Sequence, residues 1–315
     1  MPAAVSHYLL ARSILPQLGA RVPKLNEAAY FYGAQGPDIL FYHRAAFWQR
    51  GKSLRSLGSR IHRSDPDKPL ALMRAYWNDS SGDGDILSYI LGYLAHYALD
   101  RTAHPYVYAL QERIIREEKI RYRPFFVHNH IENSLDVIML RNIMEVLPPE
   151  FNPASVLRPD DAALGKAAAL LAAVFGELYP GEASEKQFLQ AFADLRANLS
   201  HLHDSTGVKR ILMSGLEKLL HTGPAVSAMI RPVREDGAWD YANLARSMWR
   251  NPAAPGVARR ETYFELFEIA QRDAMHLTDG FINMRRGGDF AGLTAKLGFN
   301  TGAPVRADQS PVSDK

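Results

Sequence analysis

Residues 92–105 read Gly-Tyr-Leu-Ala-His-Tyr-Ala-Leu-Asp-Arg-Thr-Ala-His-Pro. His96, Asp100 and His104 follow at steps of four, and with about 3.6 residues per turn they fall nearly one above another on one helix face. Leu91, Leu94 and Leu99 flank that stripe, so the helix is expected to bury it. Two side chains one turn apart can converge on one metal ion while a third reaches an ion further along the groove. Asp100, a carboxylate between two imidazoles, stands where it can bridge. One such pair also suits a buried hydrogen-bonded cluster of Tyr93, His96, Tyr97 and Asp100. Pro105 is expected to end or bend the helix after His104, and Gly92 to let another backbone pass close by.

The spacing recurs in residues 127–136, where His128, Glu132 and Asp136 form a second stripe bordered by Ile131, Leu135 and Ile138. Burying two stripes of imidazoles and carboxylates is costly unless something cationic satisfies them, and a metal is the simplest candidate. Seven of the eleven histidines (His7, His43, His62, His96, His104, His128 and His130) precede residue 137. The chain has no cysteine, which excludes disulfides, thiolate metal sites and a cysteine nucleophile. Zinc suits the remaining nitrogen and oxygen ligands, as would manganese or iron. The turn at residues 33–38, Gly-Ala-Gln-Gly-Pro-Asp, presents Asp38 between two aromatic-rich flanks. Taken alone, Asp38 reads as a cap or turn residue, and His7 and His62 as core or surface histidines.

Outward from these stripes, apolar residues recur at three- and four-residue steps and period-two alternation is scarce, which predicts an all-α chain. Helices are expected over 4–18, 45–61, 67–78, 84–103, 106–120, 126–145, 160–178, 184–202, 208–221, 239–250 and 258–284. Residues 147–159 suit either a linker or a loop, and the expectation is one domain over 1–300 with a flexible tail at 301–315. A 47% hydrophobic content allows a sizeable core, and a net charge of +3 permits an anionic partner without implying one. No window reaches the about 18 uncharged apolar residues of a membrane span, and the opening residues lack an export-leader pattern. A soluble, cytoplasmic location is therefore the expectation, with export left open.

In order, His7, the turn ending at Asp38, His62, the 92–105 helix and the His-x3-Glu-x3-Asp helix resemble the bacterial zinc-dependent phospholipase C family, which is related to single-strand-specific zinc nucleases. The resemblance covers about residues 5–140 and rests on the combination rather than on any one piece. It implies an all-α fold around a cluster of two or three zinc ions, one held by His62, His96 and Asp100 and a second by His104, His128 and Glu132. Asp100 would bridge to a third ion near His7, and Asp38 would be the catalytic acidic residue that orients or deprotonates the attacking water. His128 is preferred to His130 for its one-turn spacing to Glu132, and Asp136 is expected to hold a ligating imidazole in one tautomer.

The implied activity is phosphodiester hydrolysis by metal-activated water, on a phospholipid or other phosphodiester. Transient membrane-surface contact and no obligate nucleic-acid partner would accompany it. A nuclease-type phosphodiesterase and a metal-stabilised binding module without turnover are the alternatives; His203-Asp204, the only adjacent His-Asp pair, lies in a polar segment without partners for a phosphohydrolase site. Phe31, Tyr32, Phe41, Tyr42, Phe47 and Trp48 suit either an apolar lip for substrate or the core.

Overall fold

Residues 84–117 form one continuous helix, buried without a break from Ile86 to Arg101, and most of the other described helices pack around it. A helix that is apolar on all sides has no stable place except an interior. The computed structural model describes residues 4–46, 48–285 and 287–305. In chain order the helices are α1 (Ala4–Arg21), α2 (Glu27–Gly33), α3 (Ile39–Tyr42, entered through a 3-10 turn at Gly36–Asp38), α4 (Arg55–Arg63), α5 (Asp67–Asp79) and the central α6 (Gly84–Glu117). There follow α7 (Pro124–Met139), α8 (Asp161–Leu178), α9 (Glu185–Leu202) and α10 (Val208–Leu220). A two-stranded antiparallel ribbon, β1 (Trp249–Asn251) and β2 (Ala254–Arg259), precedes α11 (Tyr263–Asn283) and the short α12 (Ala291–Thr294). Among the described residues the fold is all-α apart from that ribbon.

Two glycines set the closest crossing. A β-carbon on Gly92 would lie 2.0 Å from the carbonyl oxygen of Tyr30, and one on Gly33 would lie 2.1 Å from that of Tyr89. Their absence lets α2 lie directly against α6, which delivers the Gly36–Asp38 turn to the face carrying His96. On other sides α6 is covered by α11, α1, α7 and α8. Arg101 ties it to the C-terminal part of the chain: Nε donates to Asp273 at 2.6 Å and a terminal nitrogen to the Thr294 carbonyl at 2.9 Å.

Pro105 does not end the helix, and the two segments expected over 84–103 and 106–120 are one. Proline removes the N–H that the Arg101 carbonyl would accept. Buried packing on both sides of the break outweighs that loss, and the backbone of Gly302 (φ +52°) passes so near that a β-carbon there would sit 2.2 Å from the Arg101 oxygen. The helix expected over 45–61 starts only at Arg55. Before it, Gly51 takes φ +100° and the Leu54 N–H donates to Nδ1 of His43, which removes that backbone from any helical ladder. No helix forms over 239–250 either. Asn243 and Arg246 have positive φ, Asp240 caps the N–H groups of Leu244 and Ala245, and the chain then enters the ribbon that also replaces the first residues expected of the last long helix.

The apolar core runs without interruption from Ala4 to Phe299, and Phe151, Ala154 and Leu157 bring residues 147–159 into it as a loop. Residues 301–305, expected to be free, are held by a bridge between Leu297 and Pro304 and by Asn251 Nδ2 donating to the Thr301 carbonyl at 2.7 Å. The remainder of the expected tail, 306–315, lies outside the described residues. Among the described residues no helix is long and apolar enough to cross a membrane.

Candidate metal centre

Asp100 is the centre of the buried polar cluster because each of its oxygens faces a different pair of imidazoles. Oδ2 lies 3.0 Å from His96 Nε2 and 3.6 Å from His62 Nε2, while Oδ1 lies 3.3 Å from His7 Nε2 and 3.7 Å from His104 Nε2. The one-turn steps along α6 supply His96, Asp100 and His104, α1 brings in His7, and α4 contributes His62 from its last turn. The 3-10 turn places Asp38 Oδ1 3.0 Å from His62 Nε2. On α7, His128 Nε2 is 3.3 Å from Glu132 Oε1, which is 3.4 Å from His104 Nε2.

Three sets of ligand atoms thus converge within 4.8 Å: His7, His96 and Asp100; Asp38, His62 and His96; His104, His128 and Glu132. Both predicted stripes turn inward and face one another. Asp38 stands at ligand-like distance in one set, although the sequence places it apart from the ligands, as the catalytic carboxylate that orients or deprotonates the attacking water.

Whether these residues fit zinc can be judged from their unpaired atoms. His96 Nε2 and Asp100 Oδ2 are buried and 3.0 Å apart, yet neither is aligned for a hydrogen bond. Two lone pairs aimed at a common point, rather than at each other, give that arrangement. Ligand atoms about 2.0–2.1 Å from a tetrahedral zinc lie about 3.3 Å from one another, and the neighbouring pairs of the cluster span 3.0–3.7 Å. The outer nitrogens agree. Nδ1 of His62 is 2.8 Å from the Gly58 carbonyl, Nδ1 of His104 is 3.1 Å from the Phe299 carbonyl, and Nδ1 of His128 is 3.1 Å from Gln111 Oε1. With those acceptors each ring, when neutral, carries its proton on Nδ1 and turns the lone pair of Nε2 toward the cluster, as a metal ligand requires. The donor set fits a zinc cluster.

Electrostatics reinforce the case. Asp38, Asp100 and Glu132 are all buried, a concentration of negative charge that is unfavourable without cations. Burial alone would raise the Asp100 pKa, but the imidazoles of His104 and His96 hold it well below the usual carboxylate range. His7 is pushed down by burial and by His96. Burial also pulls His104 down, yet Asp100 and Glu132 overcome it and push its pKa up to about 9. Without metal, His104 therefore carries a proton at pH 7 that a ligating nitrogen must lose. Zinc loading at pH 7 is expected to release at least about one proton per chain, and the release should fade above about pH 9. Titrating zinc calorimetrically in buffers of different ionisation enthalpy measures it. Because the folded pKa lies above the ordinary histidine value, this group's contribution to metal-free stability is complete below about pH 6.5 and is lost as pH rises through about 9.

Three other groups go elsewhere. Asp136 does not hold an imidazole: it accepts from the N–H groups of Val5 and Ser6 at 3.2 and 2.9 Å and from the Ser6 hydroxyl at 2.6 Å. It fastens the start of α1, and so acts on His7 through the backbone. His130 points away, with Nε2 2.9 Å from Asp236 and 3.1 Å from the Tyr241 hydroxyl. His43 is fully buried beneath Leu54. Of the aromatic residues considered for a lip, Phe31, Tyr32 and Tyr42 are core, Phe41 lies against His62, Trp48 is 60% exposed, and Phe47 lies outside the described residues.

Sequence reasoning missed the contribution of the second half. Phe299 packs its ring against His62, His96 and Tyr97 as well as accepting from His104; nothing in its local sequence marks it. Gln111 was findable, since it continues the His104 stripe two turns on.

A family model described as zinc dependent phospholipase C matches residues 6–174, more than half of the chain. No curated protein and no solved structure matches it.

Proposed function

Since the chain belongs to the zinc-dependent phospholipase C family, we propose that it hydrolyses the phosphodiester bond of a phospholipid with zinc held in the cluster around Asp100. His62, His96 and Asp100 would hold one ion, His104, His128 and Glu132 a second, and His7 with Asp100 a third. When bound, such ions lower the pKa of a coordinated water and neutralise charge on the phosphoryl oxygens. The observation that carries the reading is the inward convergence of five imidazoles and three carboxylates at ligand-like spacings, with Nδ1 of His62, His104 and His128 each held by an outer acceptor.

The chain's own groups do the rest. Asp38, on a turn fixed by Pro37 and by the positive φ of Gly36, orients the attacking water and accepts its proton. Gly36 leans on the His96 ring, where a β-carbon would lie 2.3 Å from the ring carbon, so turn and ligand are held in register. Phe41 and Phe299 exclude bulk water from the rings they cover. No nucleophilic side chain is needed.

Hydrolysis of a chromogenic phosphocholine ester and of single-stranded DNA at matched zinc tests the substrate class. Turnover of the ester well above that of DNA is expected. The reverse ranking assigns a nuclease, and stoichiometric zinc with no turnover of either leaves only a binding module.

A further inference from the structure

Helix α10 wears its amphipathic pattern inside out. At 100° per residue, Val208, Ile211, Leu212, Leu216, Leu219 and Leu220 fall within one half of its circumference. All six are exposed, from 46% at Leu216 to 75% at Leu219. The polar side faces the protein: Glu217 is buried and accepts from the backbone N–H of Ser227 at 3.1 Å and from its hydroxyl, while Arg210 reaches the His130 ring at 3.4 Å. An exposed apolar face of this length marks an interaction surface.

Charge selects the occupant. Lys218 borders the apolar half on one side and Lys209 stands near its other edge, and the helix's single carboxylate, Glu217, is turned inward. Beyond its C-terminal end, Gly223 packs beside Tyr122, which is 43% exposed and stands among the exposed Lys119, Arg121 and Arg123. Exposed Trp48 lies edge-on to His201, whose carbonyl accepts from Lys209 at the other end. Against a second copy of the same face, lysine borders would meet lysine borders with no acid to pair. Against an anionic bilayer the same borders meet lipid phosphates, and the leucines and isoleucine enter the acyl boundary. Interfacial tryptophan and tyrosine suit such a depth.

We propose that the outward face of α10 seats the protein on an anionic phospholipid surface. The proposal deepens the lipid reading and rests on it for its occupant, but it is tested by binding rather than by turnover. Zinc-loaded protein is spun with phosphatidylcholine vesicles containing about one third phosphatidylglycerol, with phosphatidylcholine-only vesicles beside them. The double variant Leu212→Glu/Leu219→Glu is run in parallel, its fold checked by its rate on the soluble phosphocholine ester and by circular dichroism. Wild type is expected to bind the anionic vesicles, and the variant to lose about tenfold or more of that affinity while its circular dichroism and its rate on the soluble ester, whatever that rate is, stay unchanged. Equal vesicle binding by both proteins, or none by wild type, overturns the proposal. So does a wild-type dimer in sedimentation that the variant abolishes, which would make a second copy the occupant. Vesicle binding without hydrolysis of any phosphodiester would leave the docking face standing and remove the hydrolase reading instead.

Discussion

Asp100→Ala should leave the protein folded but short of metal: at least two zinc equivalents in the wild type are expected to fall by one or more. Hydrolysis should drop by more than about a hundredfold, the upper end of what losing an outer partner of a metal ligand costs. The argument is geometric. Among the described residues Asp100 is the one side chain whose two oxygens reach both the His62–His96 side and the His7–His104 side, so its removal is expected to take a ligand from more than one ion position. Asp100→Asn keeps the volume and removes the charge; it should retain more metal than alanine and still lose most turnover. His96→Ala, which touches the Asp38–His62 and His7–Asp100 sets alike, should lose at least one equivalent. Elemental analysis after exhaustive dialysis, with circular dichroism to monitor folding, measures all three. A full zinc complement and wild-type rate in Asp100→Ala would mean the chemistry lies elsewhere.

The second large effect is expected from one methyl group. Gly92→Ala places a β-carbon 2.0 Å from the Tyr30 carbonyl oxygen and 2.6 Å from the Ala34 nitrogen. Both obstacles are backbone, one within α2 and one at its C-terminal cap, and cannot rotate aside, so relief requires moving the helix. Overpacking typically costs about 1–3 kcal/mol, and a backbone collision belongs at or beyond the upper end. The melting temperature should fall by roughly 6–12 °C at the 2–4 °C per kcal/mol usual for larger domains. Zinc affinity should fall too, because α2 leads straight into the turn that carries Gly36 against His96 and Asp38 beside His62. Gly176→Ala is the control: it lies in α8 with open space around its absent β-carbon, and the same change there should stabilise by about 0.5–1 kcal/mol. Should both variants melt together, the close crossing of α2 and α6 is not as tight as described.

The two stripes were legible because period and chemistry agreed: a one-turn step puts ligands on one face, and apolar neighbours turn that face inward. The Asp38 turn was legible through its glycines and proline. Pro105 misled, because a local rule about a missing N–H competes with burial on every side of α6, and burial prevailed. Residues 45–54 misled through side-chain to backbone bonds such as His43 to Leu54, which no periodicity reveals. Asp136 continued the α7 stripe by one more turn, and so looked like a helper to an imidazole; its oxygens instead meet the free N–H groups at the start of α1, a partner 130 residues away. Phe299 acts through a carbonyl and a ring brought from the far end of the chain, and a long-range contact of that kind leaves no local signature.

That last contact has a consequence for biosynthesis. A growing polypeptide released as far as Glu132 already carries every candidate ligand, but Nδ1 of His104 still lacks the oxygen that fixes its tautomer, and the rings of His62 and His96 lack their aromatic cover. Both arrive only with residue 299. Ions captured before then would sit in an open, solvent-flushed basket and exchange freely, so durable metallation, and with it the choice of ion, waits until residue 299 has closed over the site.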